Sequence, residues 1–328
     1  MILAIQGGPC SGKAVFAHYL SEKFGYKVVN MYHEYARVRQ LGEEVNEGVV
    51  MKFHLEEDMA SLCKIYENKL LDIKSNYTEG YVVYPFPSHM DMQMFISDKH
   101  QIVLFQIEAP TSKRFARYKI KYPSSKGARD LESFVEIDDA LSFTKTTDRS
   151  LRVVKTFVNN EDSIDAFRAQ LDKFDFMNKE MVRPKWDTYF LRLAEVVATR
   201  SNCMKRAVGA VIVNDFRIVS TGYNGTPFGC ANCNEGGCER CNENAASGQK
   251  LDECLCIHAE ENAVIEAGRA KANGGTIYVT LSPCLTCAKT IVQAGIKRIV
   301  FNRKYTMKIA ETFLQGLGDK IQVDWIQL

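Results

Sequence analysis

Short apolar runs recur along the first half of the chain, each leading into a stretch with helical spacing. Met1–Gln6 is apolar, Gly7–Gly12 reads as a turn-rich loop and Lys13–Lys23 as a helix. Apolar runs return at Tyr81–Tyr84, Ile102–Ile107 and Val153–Val158, with helix-length stretches such as Ser112–Lys121 and Ser163–Phe174 between or after them. Strands alternating with helices predict a doubly wound parallel sheet. The second half repeats the alternation. Trp186–Arg200 has helical spacing (Tyr189, Phe190, Leu193, Val196, Val197), and strands at Val208–Val213 and Ile218–Tyr223 are joined at Asn214-Asp215. A long cysteine-rich loop follows. Then come a helix from about His258, a strand at Thr276–Thr280, a helix from Cys284, a strand at Arg298–Phe301, and a last helix and strand ending at Trp325. The two patterns meet near Met177–Pro184. This divides the chain into an α/β domain at 1–176, a linker at 177–183 and a second α/β domain at 184–328.

The length of 328 residues agrees with two domains, and the composition is that of globular proteins, with 46% apolar and 25% charged residues. Beyond Arg183 there are 17 Lys+Arg against 14 Asp+Glu, or +3; the remaining 25 against 26 leave the first part at −1. Neither part is basic enough to suggest a grip on nucleic acid. Met1–Ile5 lacks the basic start of a secretory signal, and Ala207–Val213, the longest aliphatic run near the cysteines, is far short of a membrane span of about 20 residues. The expectation is a chain with no membrane partner, in the cytoplasm, with the nucleus open to it. Cysteine changes the picture most. Of 11, only Cys10 and Cys63 precede residue 200, while nine fall between Cys203 and Cys287. Clustered thiols in a reducing compartment point to metal before disulfides, whereas Cys10 and Cys63 read as small buried apolar side chains.

Gly7-Gly-Pro-Cys-Ser-Gly12-Lys13-Ala14 matches a phosphate-binding loop up to its last position. There Ala14 lacks the hydroxyl that would bind Mg²⁺. The strand Tyr81–Tyr84 ends in Pro85-Phe86-Pro87, with no acid to hold the ion. Residues 1–176 nonetheless resemble the nucleoside-monophosphate kinase family. Val103–Pro110 followed by Arg114 and Arg117 looks like the strand and basic lid helix of those enzymes, and Val153–Ser163 like their last strand. The expectation is a degenerate P-loop domain in which Gly7, Gly12 and Lys13 remain, with a structural or regulatory role.

His258-Ala-Glu260 with Pro283-Cys284-Leu-Thr-Cys287 is the strongest signal in the chain. One imidazole and two thiolates leave the fourth position of a tetrahedral Zn²⁺ open for water, and Glu260 is placed to move protons rather than bind metal. A closed structural site with a fourth cysteine would leave the H-x-E spacing unexplained. H-x-E with P-C-x-x-C is the signature of zinc deaminases acting on cytosine or adenine.

Residues 184–328 resemble the deoxycytidylate deaminase family, in its fungal form with a kinase-like extension. The likeness is carried by Arg200-Ser-Asn-Cys203, Val208–Ile212, Gly222–Pro227, His258–Asn262 and Thr280–Cys284. It implies a cytidine-deaminase-like α/β/α sandwich that hydrolyses dCMP to dUMP and ammonia for thymidylate synthesis. By the same resemblance His258, Cys284 and Cys287 hold zinc, zinc-bound hydroxide attacks C4 of the base, and Glu260 shuttles the proton. Gly222, Tyr223, Asn224, Gly225, Arg269 and Tyr305 fall where the family binds substrate or effector. It further implies a hexamer, activation by dCTP and inhibition by dTTP with Mg²⁺, and a structural zinc on Cys203, Cys233, Cys238 and Cys254. Cys230, Cys241 and Cys256 depart from that pattern. Gly222–Gly225 is also what any tight turn wants. Two other readings stay open: a deaminase of tRNA adenosine, and a non-catalytic nucleotide sensor. Against the first stand the +3 charge and the two aromatics, Tyr223 and Phe228, at the loop. Against the second stands the undamaged catalytic motif.

Overall fold

The computed structural model describes residues 1–40, 59–76, 78–86, 102–142, 153–243, 249, 253–305 and 308–328. It divides into two compact units, Met1–Arg183 and Pro184–Leu328. Among the described residues no helix is long and apolar enough to cross a membrane.

The first unit is built on a parallel sheet of β1 (Ile2–Gln6), β2 (Lys27–Asn30), β3 (Tyr81–Tyr84), β4 (Ile102–Glu108) and β5 (Val153–Val158), in the order β2-β3-β1-β4-β5. Its helices are α1 (Lys13–Phe24), α2 (Met31–Val38), α3 (Met59–Lys74), α4 (Thr111–Lys121), α5 (Leu131–Ser142) and α6 (Ile164–Leu171). The strand period of two sorts side chains onto two faces. Leu3, Ile5, Val82, Phe105 and Ile107 pack with Phe16, Leu20 and Phe167, while Ala4, Val83 and Leu104 pack with Tyr66 and Leu70. Strand β2 was not signalled by the sequence, because its apolar content is only Val28 and Val29 between a lysine and an asparagine. Residues 177–183, expected as a linker, belong with this unit. Phe176 is fully buried in its core, and Met181 and Val182 pack against that core. The side chain of Cys63 and residue Pro87 lie outside the described residues.

The second unit has a mixed sheet, β10 (Gln322–Trp325), β9 (Arg298–Phe301), β8 (Thr276–Val279), β6 (Gly209–Asn214), β7 (Arg217–Tyr223) in that order. β6 pairs antiparallel with β7 and β8, and β8, β9 and β10 run parallel. The hairpin turns at Asp215-Phe216 rather than at Asn214-Asp215; both residues have positive φ, as a tight two-residue hairpin turn demands. Val211, Val213, Tyr278 and Val300 point to α7 (Trp186–Ala198), where Phe190, Leu191 and Ala194 meet them. Ala210, Ile212, Ile277, Val279 and Ile299 point the other way, onto α9 (Ala259–Ala272), α10 (Leu285–Gln293) and α11 (Lys308–Gln315). The result is three layers, α/β/α, with a one-turn helix, α8 (Glu239–Asn242), outside them.

Candidate active site

Two helix N-termini meet on the second unit. His258 is the N-cap of α9 and Cys284 the N-cap of α10, with Cys287 in the first turn of α10. Positions three apart on a helix share a face, so both sulfurs turn toward the imidazole. His258 Nδ1 lies 3.2 Å from Cys287 Sγ and 3.4 Å from Cys284 Sγ. Three donors around one tetrahedral Zn²⁺, with bonds of roughly 2.0 Å to nitrogen and 2.3 Å to sulfur, would be separated by ~3.6 Å along such an edge. The donor set and its spacing therefore fit zinc. The positive ends of both helices favour thiolate. The Cys284 thiol is drawn down to about 4 by its hydrogen bond with Cys287 and by the imidazole beside it, and Cys284 in turn pushes His258 up to about 9. Cys287 is held up by Cys284 and by burial.

Glu260, two residues into α9, is 4% exposed. Burial raises its carboxyl to about 7, poised to accept and return a proton near neutrality. The entry to α9 is fixed on both sides. Ile257 and Gly225 exchange backbone hydrogen bonds at 2.9 and 3.2 Å, and the His258 N–H donates to Glu261 Oε2 at 3.0 Å.

A cavity of about 570 Å³ opens on this group, lined by His258, Glu260 and Cys284 together with Asn224, Lys205, Arg206 and Tyr305. Asn224 is 7% exposed and braces the wall with its amide. Its Oδ1 accepts from Ser201 Oγ at 2.7 Å and the Val208 N–H at 2.8 Å, and its Nδ2 donates to Arg206 O at 2.7 Å. Tyr305 carries the Arg206 guanidinium 4.2 Å from its ring centroid. Lys205 and Arg206 escaped the sequence reading. The signal was there, in two consecutive cations between the end of a helix and a strand.

The other expected contacts lie elsewhere. Gly222 faces α9: a Cβ on it would stand 2.2 Å from Ala259 O and 2.4 Å from Ala263 N. Tyr223 is 36% exposed; its carbonyl accepts from Asn262 Nδ2 and its ring lies 5.9 Å from the Arg200 guanidinium. Arg269 is exposed, eleven residues beyond His258, and does not line the cavity.

Six more cysteines come together beside the cavity. They form two overlapping groups, Cys203, Cys233, Cys241, Cys256 and Cys238, Cys241, Cys254, Cys256. The expected quartet of Cys203, Cys233, Cys238 and Cys254 is thus split between two groups, both completed by Cys241 and Cys256. A run of C-x-x-C and C-x-C spacings could not say which sulfurs face inward together. Cys230 is exposed and joins neither group.

In the first unit the Gly7–Gly12 loop leads from β1 into α1. A Cβ on Gly7 would lie 2.3 Å from Ile107 O, so the chain passes too close to β4 for any side chain. Lys13 begins α1, is 7% exposed, and donates to Gly7 O and Gly8 O at 2.7 Å each. Burial lowers its amine to about 8. Arg114 pairs with Asp138, and Arg117 donates to backbone carbonyls of Cys10, Asn159 and Glu161. Cys10 is half-buried in the loop.

Comparison with known proteins gives a consistent picture. Residues 184–303 match the model of the cytidine and deoxycytidylate deaminase zinc-binding region. The chain is 36% identical over 325 residues to a deoxycytidylate deaminase of Schizosaccharomyces pombe, covering 98% of this chain and 96% of that protein. To the deoxycytidylate deaminase of Saccharomyces cerevisiae it is 37% identical over 283 residues, covering 81% and 86% respectively. A solved structure of a dCMP deaminase from the cyanophage S-TIM5, in complex with dCMP and dUMP, is 30% identical. It covers 44% of this chain and 98% of that one, with a TM-score of 0.35.

Proposed function

The chain belongs to the deoxycytidylate deaminase family, and from that premise we propose that its second unit converts dCMP and water to dUMP and ammonia, supplying dUMP for thymidylate synthesis. The observation that carries this reading is the buried Glu260 carboxyl beside the His258, Cys284, Cys287 donor set at the floor of one cavity.

Zinc is the cofactor of this family's deaminase region, and His258, Cys284 and Cys287 would hold it. When bound, the ion lowers the pKa of a water toward neutrality. Glu260 does the proton work. It takes a proton from the attacking water and passes it to N3 of the cytosine as C4 becomes tetrahedral; it then takes the remaining proton from the new C4 hydroxyl and gives it to the amine, so that C4=O forms as the C4–N bond breaks and ammonia leaves. Its carboxyl is buried, so it holds or gives up a proton near pH 7 with little bias either way. Asn224 braces residues 201–208 and lines the cavity, where its second Nδ2 hydrogen is left for the nucleotide. Lys205 and Arg206 bring two cations to the 5′-phosphate, and Tyr305 offers a ring to the base.

The same reading includes structural zinc among the cysteines beside the cavity, expected on Cys203, Cys233, Cys238 and Cys254. Regulation belongs to this reading too: dCTP activates and dTTP inhibits, each with Mg²⁺, on a hexamer in which Gly222–Gly225 and Arg269 take part. The first unit serves as a degenerate P-loop domain of structural or regulatory use.

Incubating the purified protein with dCMP, CMP, deoxycytidine and a tRNA anticodon stem, and measuring ammonia, tests the substrate. Release from dCMP is expected. Release from the tRNA stem instead selects a polynucleotide deaminase, and no release from any of them with zinc bound refutes the proposal. Adding dCTP or dTTP to the same assay tests regulation.

A further inference from the structure

We propose that the six cysteines gathered beside the cavity, Cys203 from the segment before β6 and five from the segment before α9, hold two zinc ions, with Cys241 and Cys256 each bridging both ions. Cys203 and Cys233 complete one tetrahedron, and Cys238 and Cys254 the other. This assignment stands apart from the catalytic reading, since none of its ligands belongs to the His258 site.

The distances carry it. Sulfurs lie 3.9 Å apart for Cys203 and Cys241, 4.0 Å for Cys238 and Cys254, 3.8 Å for Cys241 and Cys254, and 4.0 Å for Cys241 and Cys256. A disulfide needs about 2.0 Å. The edge of a ZnS₄ tetrahedron with bonds of roughly 2.3 Å is ~3.8 Å. Each of the four separations is an edge of one tetrahedron or the other, and the Cys241–Cys256 pair is the edge they share. The count agrees: two tetrahedra joined along an edge have six corners, and six cysteines are gathered here.

A single ion on either group of four would leave two thiols beside it, one of them fully buried: Cys238 in one case and Cys233 in the other, each 0% exposed. Among the described residues the buried apolar cluster here is cysteine alone, so sulfur and not hydrocarbon holds it together. The surroundings are made for thiolate. The Met204 N–H lies 3.4 Å from Cys233 Sγ, backbone N–H groups of Lys205 and Arg206 point to Cys203, and those of Cys241 and Leu255 point to Cys238. The Arg240 guanidinium, 9% exposed, reaches Cys254 Sγ at 3.8 Å. Loading two dications releases six protons and leaves a net charge of −2, which Arg240 and these amides offset. Asn242 Nδ2 braces the cluster by donating to Cys233 O and Cys238 O at 2.7 and 2.8 Å.

Zinc per protomer in the full chain, together with X-ray absorption at the zinc edge, tests this. Three zinc ions are expected, with a metal–metal shell nearer than about 4.6 Å, because two ions bonded to one sulfur cannot lie farther apart than two Zn–S bonds. Two zinc ions with sulfur shells alone overturn the proposal, and so does iron in place of zinc. The His258→Ala variant separates the two sites. It should fall to two ions with the metal–metal shell intact; if it keeps three and the shell, the catalytic ligand set is wrong while the cluster stands. Cys241→Ser and Cys256→Ser should each lose at least one ion and the shell, whereas Cys230→Ser should keep both. A Cys241→Ser protein that retains three ions and the shell overturns the bridge.

Discussion

Gly222→Ala perturbs the active site without touching it. The new methyl would sit 2.2 Å from Ala259 O and 2.4 Å from Ala263 N, both backbone atoms of α9, where side-chain carbons do not approach closer than 3.0 Å. The helix must therefore retreat from β7 by at least 0.8 Å. It cannot do so without carrying its first turn along, and Glu260 follows Ala259 directly. Overpacking of this kind costs about 1–3 kcal/mol, a fall in melting temperature of roughly 3–10 °C for a unit of this size. A misplacement near 1 Å of a proton-transfer group costs on the order of 10²-fold in rate. Ammonia release from dCMP and a thermal melt on the same preparation read both quantities. The expected result is a loss in kcat with a lowered Tm. An unchanged Tm and kcat with a raised KM would refute the steric account and make Gly222 a direct nucleotide contact.

Glu260→Gln should retain zinc, whose ligands lie elsewhere, and lose about 10²–10⁴-fold in kcat; loss of metal would show that Glu260 is itself a ligand. Arg206→Ala, which clears the cation from Tyr305, should raise KM for dCMP about tenfold and leave KM for deoxycytidine, which lacks the phosphate, nearly unchanged. Asp187 accepts two hydrogen bonds from Arg298 at 2.8 Å and one from Tyr278 at 2.7 Å, and Arg298 holds its carboxyl below the ordinary range. That stabilisation is complete above the unfolded value of about 3.9 and is lost as pH falls through the folded one. Asp187→Asn should therefore cost roughly 1.5–3 kcal/mol at pH 7 and less at pH 3, below the unfolded value. Urea melts at the two values measure it, and an equal cost at both would exclude the ion pair as its source.

What the sequence displayed was whatever is written locally. Strands such as Arg298–Phe301 and Ile102–Glu108 stand out because a run of apolar residues buries one face or both, whereas β2, with two valines, is identified only by its neighbour β3. The zinc triad was legible for the same reason: one imidazole, two thiols and an acid at helix starts have fixed local spacings. Gly222 could be read two ways, since a glycine before a turn looks alike whether it meets a ligand or the back of a helix. Cys241 and Cys256 could not be ranked above Cys203 and Cys233, because their partnership exists only once a folded loop brings 203, 233 and 254 beside them. Arg206 belongs to the cavity through Tyr305, a hundred residues away.

The helix that begins at His258 does not run unbroken to Ala272. Gly268 has φ 65 and ψ 157, so the hydrogen-bonded rod is interrupted ten residues after the metal ligand. The helix is therefore two pieces, with Glu260 on the first and Arg269 and Lys271 on the second. A displacement of the far piece can be taken up at Gly268 by a change of backbone angle, without moving the first turn as one rigid rod would.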